Sequence, residues 1–228
     1  MASVSAVLFD AGGVLLDLDY AYLVRLVEAR NCETTTEALA RAEAIARKAI
    51  HERVRGGGAA GEAWRDYFRV VLGTVRIPPE LHEEIIDTLW EAHLRVGLWT
   101  APIPGAKQVL EELRRRGLAT GVVSNAEGNV ARDLDAAGFG GLLDVVVDSQ
   151  EVGVEKPDPR IFEIALERLG AAAEAAVFVG DVPAVDVEGA KAAGIVPVLV
   201  DRHDLYSDLD VARLRSLEEL PSWIASRR

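Results

Sequence analysis

The chain has 228 residues, a net charge of −12 at pH 7 and a pI near 4.8, with half of its residues hydrophobic and 27% charged. This is the balance of a folded soluble chain, long enough for one large domain or for a core carrying a smaller insertion. The acidic field repels phosphate backbones and anionic lipid, which argues against nucleic-acid and membrane partners. A small phosphorylated ligand is not excluded, because a local site with a metal ion and a few cations can outweigh a distant surface charge.

The N-terminal stretch Val4 to Phe9 is apolar, has no basic leader and stops at Asp10-Ala-Gly-Gly, so it reads as a buried strand followed by a turn and not as a signal peptide. Cys32 is the single cysteine. No intrachain disulfide or zinc cluster can form from it, and a reducing, cytoplasmic setting is expected. No apolar run is long enough to span a membrane.

From Asp19 to Val96 the pattern turns helical, with apolar residues at three- and four-residue spacing over Asp19 to Arg30, Thr36 to Arg55, Gly61 to Leu72 and Pro79 to Val96. Four helices without an intervening strand predict a small bundle. Within it Trp64, Phe68 and Leu72 recur at four-residue spacing and are expected in the bundle core. Gly56-Gly57-Gly58 reads as a linker, and Arg53, Arg55 and Arg65 as solvated.

Beyond Pro102 and Pro104, apolar runs at Leu118 to Val123, Leu143 to Val147, Ala175 to Val179 and Ile195 to Val200 alternate with helical patterns at Ala106 to Arg116, Asn129 to Ala137, Ile161 to Leu169 and Val185 to Ala193. The expected fold class is therefore α/β, a doubly wound parallel sheet. Right-handed crossovers place the loops after its strands on one edge, where such sheets bind ligands. The helical block becomes an insertion between the first and second strands, giving a core of residues 1–16 and 100–228 and an inserted helical unit of residues 17–99.

Four short segments fall at or near strand ends: Asp10-Ala-Gly-Gly-Val14, Ser124-Asn125, Lys156-Pro-Asp-Pro159, and Gly180-Asp181 with Asp186 five residues after Asp181. Singly, each has a plain reading as a turn, a helix cap or a solvated charge. Lys156 stands out because only four of the 25 basic residues are lysines, which suggests selection for a compact ammonium head.

Taken together, Phe-Asp-Ala-Gly-Gly-Val-Leu, Val-Val-Ser-Asn, Gly-Val-Glu-Lys-Pro-Asp-Pro-Arg-Ile-Phe and the run from Val179 to Ile195 resemble, in order, the four motifs of the haloacid dehalogenase-like (HAD) hydrolase superfamily. The inserted helices resemble the family's helical cap, whose movement closes the site. The resemblance implies that Asp10 is a nucleophile forming an aspartyl-phosphate. It implies that Ser124 and Asn125 hold the transferring phosphoryl oxygens, and that Lys156 neutralises charge there and keeps Asp10 ionised. Asp10, the Gly12 carbonyl, Asp181 and Asp186, the last directly or through water, would hold Mg²⁺, since an all-oxygen set selects that ion over zinc. The implied activity is that of a phosphatase on a small phosphorylated metabolite, in a monomer or homodimer.

One departure is informative. The family's phosphatases usually carry an acid/base aspartate two residues after the nucleophile, and here that residue is Gly12. A positioned general acid is worth about 10²–10⁴-fold, so turnover of ordinary alkyl phosphates should be slow unless another group substitutes. Val14, where threonine is common, is a milder departure. Three alternatives stay open: a metal-free 2-haloacid dehalogenase, a phosphonate hydrolase using Lys48 as a Schiff-base lysine, and a weakly catalytic phospho-ligand binder. The histidines His51, His82, His93 and His203 form no sequence-local metal pattern, and none is assigned a catalytic role.

Overall fold

The computed structural model describes residues 3–58 and 63–227. Six strands form one parallel sheet: β1 (Ala6–Phe9), β4 (Ala119–Ser124), β5 (Val145–Asp148), β6 (Ala176–Gly180), β7 (Val196–Val200) and β8 (Ala212–Leu214). Their spatial order is β5-β4-β1-β6-β7-β8. β1 is therefore central, with Phe9 in register beside Val122 of β4 and Val179 of β6. Its four residues are all buried, which is why this strand lacks polar alternation.

Helices α5 (Ala106–Arg115), α6 (Val130–Ala136), α8 (Pro159–Leu169) and α10 (Leu220–Ala225) belong to the core, with the short α7 (Ser149–Val152) and α9 (Glu188–Ala192). Two apolar clusters cover the sheet's faces. One gathers Val7, Phe9, Val122 and Val179 with Leu110 and Leu113 of α5. The other gathers Leu8, Val123 and Phe178 with Ile161 and Phe162 of α8. Successive residues of β1 feed opposite clusters, as side chains of a strand must.

The inserted region comprises α1 (Tyr20–Glu28), α2 (Thr36–Arg55), α3 (Trp64–Thr74) and α4 (His82–Val96). Asp19 caps α1 by accepting from the Tyr22 N–H at 2.8 Å, and Thr35 caps α2 through Ala38 at 3.1 Å. Phe68, Val71, Leu72, Ile85, Ile86 and Leu89 are among the residues of its own core. α2 is as expected from periodicity, and α4 begins after a 3₁₀ turn at Pro79–Leu81. The start of the expected Gly61 to Leu72 helix lies outside the described residues.

Several elements were not foreseen. β2 (Leu16–Leu18) and β3 (Trp99–Pro102) form an antiparallel pair at the entry to and exit from the insertion. β8 adds a sixth strand at the edge beyond β7. β2 and β8 have only three residues and β3 ends in proline, so none offers a period that sequence patterning can register. Among the described residues no helix is long and apolar enough to cross a membrane.

Candidate active site

The strand order brings the four segments together. Asp10 follows β1 directly, Ser124 ends β4 with Asn125 next to it, and Asp181 follows β6. These three strands are neighbours, so their carboxyl ends deliver adjacent loops. Lys156 comes from the loop before α8, and Asp186 from a single π-helical turn at Pro183–Val187. All of these residues line one cavity of about 240 Å³ shared with the inserted helices.

Lys156 is the hinge of the charge arrangement. Its ammonium lies 2.9 Å from Asp10 Oδ1 and 2.8 Å from Asp186 Oδ1, and its side chain is 1% exposed. Asn125 fixes the lysine's backbone from both sides, donating from Nδ2 to the Lys156 carbonyl at 3.0 Å and accepting from the Lys156 N–H at 2.7 Å. The carboxamide is thus engaged at both ends in holding Lys156, a use that the sequence did not suggest. Ser124 is buried and lines the cavity.

Asp186 is fully buried, and its Oδ2 accepts from the Asp181 and Val182 N–H groups at 3.0 and 2.9 Å. It therefore shapes the Asp181 loop while its other oxygen faces Lys156. Gly180 permits this: a Cβ there would sit 2.3 Å from the Asp186 Cβ. The glycine of the Gly-Asp pair answers a close approach and not a turn.

Asp10 Oδ1 also accepts from the Ala11 N–H at 2.7 Å. Burial pushes its pKa up, with Lys156 pulling it down and Asp186 pushing it up again. Burial likewise lifts Asp181 to about 7, against the pull of Arg47 and with Asp186 and Asp10 adding to the rise. One oxygen each from Asp10, Asp181 and Asp186 can be chosen so that all three lie within 4.8 Å of one another. Hard oxygen donors crowded this way, with carboxyl groups driven toward protonation, are short of positive charge and fit a divalent cation.

A cation from the inserted region already answers part of that shortage. Arg47 of α2 makes an ion pair with Asp181 and another with Glu43. Glu43 is buried and accepts from the hydroxyls of Tyr67, at 2.6 Å, and Tyr20. A signal for this network was present: Leu39, Glu43, Arg47 and His51 follow one another at four-residue steps along α2, so two charges and a histidine share a stripe with apolar Leu39.

His51 continues the same face, its Nδ1 accepting from the Ala184 N–H at 3.0 Å and tying α2 to the π-helical turn. Desolvation lowers its pKa first, aided by Arg55. A histidine with a folded pKa below its unfolded one stabilises the fold above the unfolded value, near 6.5. That contribution is lost as pH falls through the lower folded value. Relative to His51→Gln, whose amide oxygen accepts without titrating, the wild-type thermal midpoint is expected to fall as pH drops below about 6.5, whereas the raised Asp181 contributes with the opposite sign to both proteins. Identical pH profiles would exclude the assignment.

Gly12 has an unexpected neighbour. Its φ lies outside the left-handed range, but a Cβ there would meet Trp99 Cδ1 at 3.2 Å and Nε1 at 3.4 Å. The indole of β3 thus covers the position from which an aspartate side chain would project. Trp99 is close to His93 and Tyr67, at ring-centroid distances of 5.6 and 6.0 Å. Trp64 packs on Phe68 and Trp90 as expected of a bundle residue, yet it also lines the cavity. His93, given no role from sequence, is buried there with Nε2 2.7 Å from Glu127 Oε2. Lys48 is exposed and does not line the cavity.

Residues 4–194 match the model of a haloacid dehalogenase-like hydrolase family. The chain is 34% identical over 223 residues to a protein named as a phosphatase in Mycobacterium tuberculosis, covering 94% of this chain and 95% of that one. It is 39% identical over 144 residues to the phosphoserine phosphatase of Thermus thermophilus, covering 63% of this chain and 56% of the relative. It therefore spans little more than half of the latter's length. The magnesium-bound HAD-hydrolase YfnB of Bacillus subtilis shares the fold with a TM-score of 0.70 at 20% identity, covering 98% of this chain and 100% of that one. An L-2-haloacid dehalogenase from Xanthobacter autotrophicus shares it with a TM-score of 0.66 at 21% identity, covering 99% and 100%. The fold alone thus does not separate the two chemistries. The chain belongs to the haloacid dehalogenase-like hydrolase family, with its helical cap inserted after the first motif.

Proposed function

We propose that this protein is a Mg²⁺-dependent phosphatase of a small phosphorylated metabolite, with Asp10 as the nucleophile, residues 17–99 as the cap and the remaining residues as the catalytic core. The observation that carries the reading is the acidic trio of Asp10, Asp181 and Asp186 gathered at one point, with Asp10 and Asp186 on the ammonium of Lys156. A dehalogenase working without metal does not call for three carboxylates brought this close together. The exposed position of Lys48 leaves the phosphonate hydrolase without its amine. The two relatives named above as phosphatases agree with the reading.

In this scheme Asp10, the Gly12 carbonyl, Asp181 and Asp186, directly or through water, would hold Mg²⁺, which supplies charge neutralisation at the phosphoryl oxygens. Lys156 and the Ala11 N–H hold Asp10 Oδ1, which fixes the direction of the carboxylate toward phosphorus. A bond forms from an Asp10 oxygen to phosphorus as the ester P–O bond breaks and its electron pair leaves with the alcohol oxygen. Water then attacks phosphorus, and inorganic phosphate leaves with Asp10 regenerated. Ser124 contributes its hydroxyl to the phosphoryl oxygens. Asn125 positions Lys156, with its second amide hydrogen available to the same oxygens.

Turnover should therefore require a divalent cation, and Asp181→Asn should lower cation affinity and turnover together. Titration calorimetry with Mg²⁺, run beside phosphatase assays, checks both. Full activity in excess chelator would remove the metal assignment and revive the dehalogenase.

Gly12 makes a second expectation. Because Trp99 occupies the room above it, Gly12→Asp alone forces the indole to shift, whereas Gly12→Asp with Trp99→Leu leaves space for the carboxylate. The double variant is expected to hydrolyse alkyl phosphates at least about 100-fold faster than Trp99→Leu alone, the low end of general-acid contributions. With the thermal midpoint of the double variant unchanged, an absence of gain would mean that another group already delivers the proton.

A further inference from the structure

We propose that the leaving group accepted by this cavity is a planar aromatic ring, so that the substrate is the phosphate ester of a phenol-like hydroxyl. The inference rests on the phosphatase reading and adds the substrate class to it. Three observations meet on it.

The first is the wall of the cavity. Away from the acidic trio it is lined by the rings of Trp64, Tyr67, His93 and Trp99. Trp99 lies over Gly12, two residues from Asp10. Aromatic rings hold another ring in offset or edge-on contact better than they hold a hydroxylated chain.

The second is charge. The cations lining the cavity are committed: Lys156 to Asp10 and Asp186, Arg47 to Asp181 and Glu43. The acids on the leaving-group side, Glu127 and Asp133, are held by His93 and Arg132. Among the described residues, a leaving group carrying a carboxylate or a second phosphate finds no uncommitted cation there and faces two acids. Trp64 Nε1 and His93 Nδ1 have no partner among the described residues, but both atoms are buried away from the open space of the cavity and offer a ligand no polar handle. Besides the committed charges, what this side of the cavity offers an incoming group is apolar and ring surface.

The third is the missing carboxylate at Gly12. An alkoxide leaves poorly without a proton, whereas a phenol ionises near pH 10 and leaves as phenolate far more readily. The Asp10–phosphorus bond forms as the phosphorus–aryl oxygen bond breaks, the electron pair goes to the aryl oxygen, and the phenolate takes its proton from solvent. A site that lacks its acid and presents an indole in its place is matched to this chemistry.

The test is binding of non-hydrolysable phosphonates to the full chain with Mg²⁺, followed by titration calorimetry. Benzylphosphonate is expected to bind about tenfold tighter than butylphosphonate or 2-amino-4-phosphonobutanoate, the scale of one good ring contact. Trp64→Leu should bring the benzyl-to-butyl ratio within about twofold by weakening the benzyl compound. Trp99→Leu, read the same way, guards against a folding defect in either variant. In turnover, phenyl phosphate should exceed phosphoserine by about 100-fold or more in kcat/KM, within the worth of the absent acid. Equal binding of the alkyl and benzyl compounds, or a preference for the amino-acid compound, would overturn the proposal. Hydrolysis of no phosphate ester at all would instead remove the phosphatase reading, and the phosphonate ratio would still decide what the cavity accepts.

Discussion

Asp10→Asn is expected to stop turnover, with kcat falling on the order of 10⁴–10⁶-fold, the scale seen when a covalent nucleophile or its immediate partner is removed. Asparagine keeps the shape, and its Oδ1 can still accept from Ala11 and Lys156 at the positions now 2.7 and 2.9 Å away. What it loses is the anionic oxygen that attacks phosphorus. Because Asp10 is partly desolvated and its pKa is raised by burial, removing its charge should leave the fold intact or firmer, so lost activity with a preserved thermal midpoint separates chemistry from folding. Steady-state assays beside thermal melts check this. Retention of more than a few per cent of wild-type kcat would exclude Asp10 as the nucleophile.

Lys156→Ala is expected to lower turnover by at least about one to two orders of magnitude, the usual cost of losing a positioned charge at the reacting group. It also strips the cation from between Asp10 and Asp186, leaving two buried carboxylates face to face. Breaking a buried pair costs about 3–5 kcal/mol, so the metal-free thermal midpoint should drop as well. The chemical effect is separable by pH. Lys156 is the main influence lowering the Asp10 pKa, so its loss raises that pKa further. The nucleophile must be ionised, and the acid limb of kcat/KM should therefore move to higher pH. Lys156→Arg should rescue poorly, because the planar fork does not fit a pocket shaped around an ammonium that is 1% exposed and lies 5.3 Å from the centre of the Phe178 ring. Near-normal kinetics for Lys156→Ala would reduce the residue to a structural ion pair.

The legibility of this site follows from where its parts lie in the chain. Asp10, Ser124, Asn125, Asp181 and Asp186 sit at strand ends or within a few residues of them, and a parallel sheet collects strand ends on one edge. Their convergence could be argued from strand pattern, and β1 between β4 and β6 makes it so. Trp99, Arg47 and His93 could not be placed this way. They enter from the insertion, whose orientation over the sheet is set by tertiary contacts such as that of His51 with Ala184. The Glu43 and Arg47 charges on a half-apolar stripe of α2 hinted at a buried network but not at its partner Asp181, 134 positions away in sequence. Asn125 illustrates a finer limit: its neighbourhood was legible, yet its grip on the Lys156 backbone depends on a loop crossing that no local pattern encodes.

The same division holds for Gly12. From sequence it was an absence, a missing carboxylate beside the nucleophile. In the structure it is also a contact, since the Trp99 indole lies 3.2 Å from where a side chain would begin. On the proposed mechanism, the lack of a general base there should slow water attack on phosphorylated Asp10 along with its formation, and the intermediate should accumulate when the leaving group is good.

That accumulation offers the most direct test. Wild-type protein mixed with phenyl phosphate and Mg²⁺, quenched in acid within the first turnovers and digested for mass spectrometry, should carry a phosphoryl adduct on the side chain of Asp10. The adduct should vanish in chelator and in Asp10→Asn. Steady hydrolysis with no adduct at Asp10, or an adduct that forms equally well without metal, would contradict the assignment of a Mg²⁺-dependent aspartyl-phosphate mechanism.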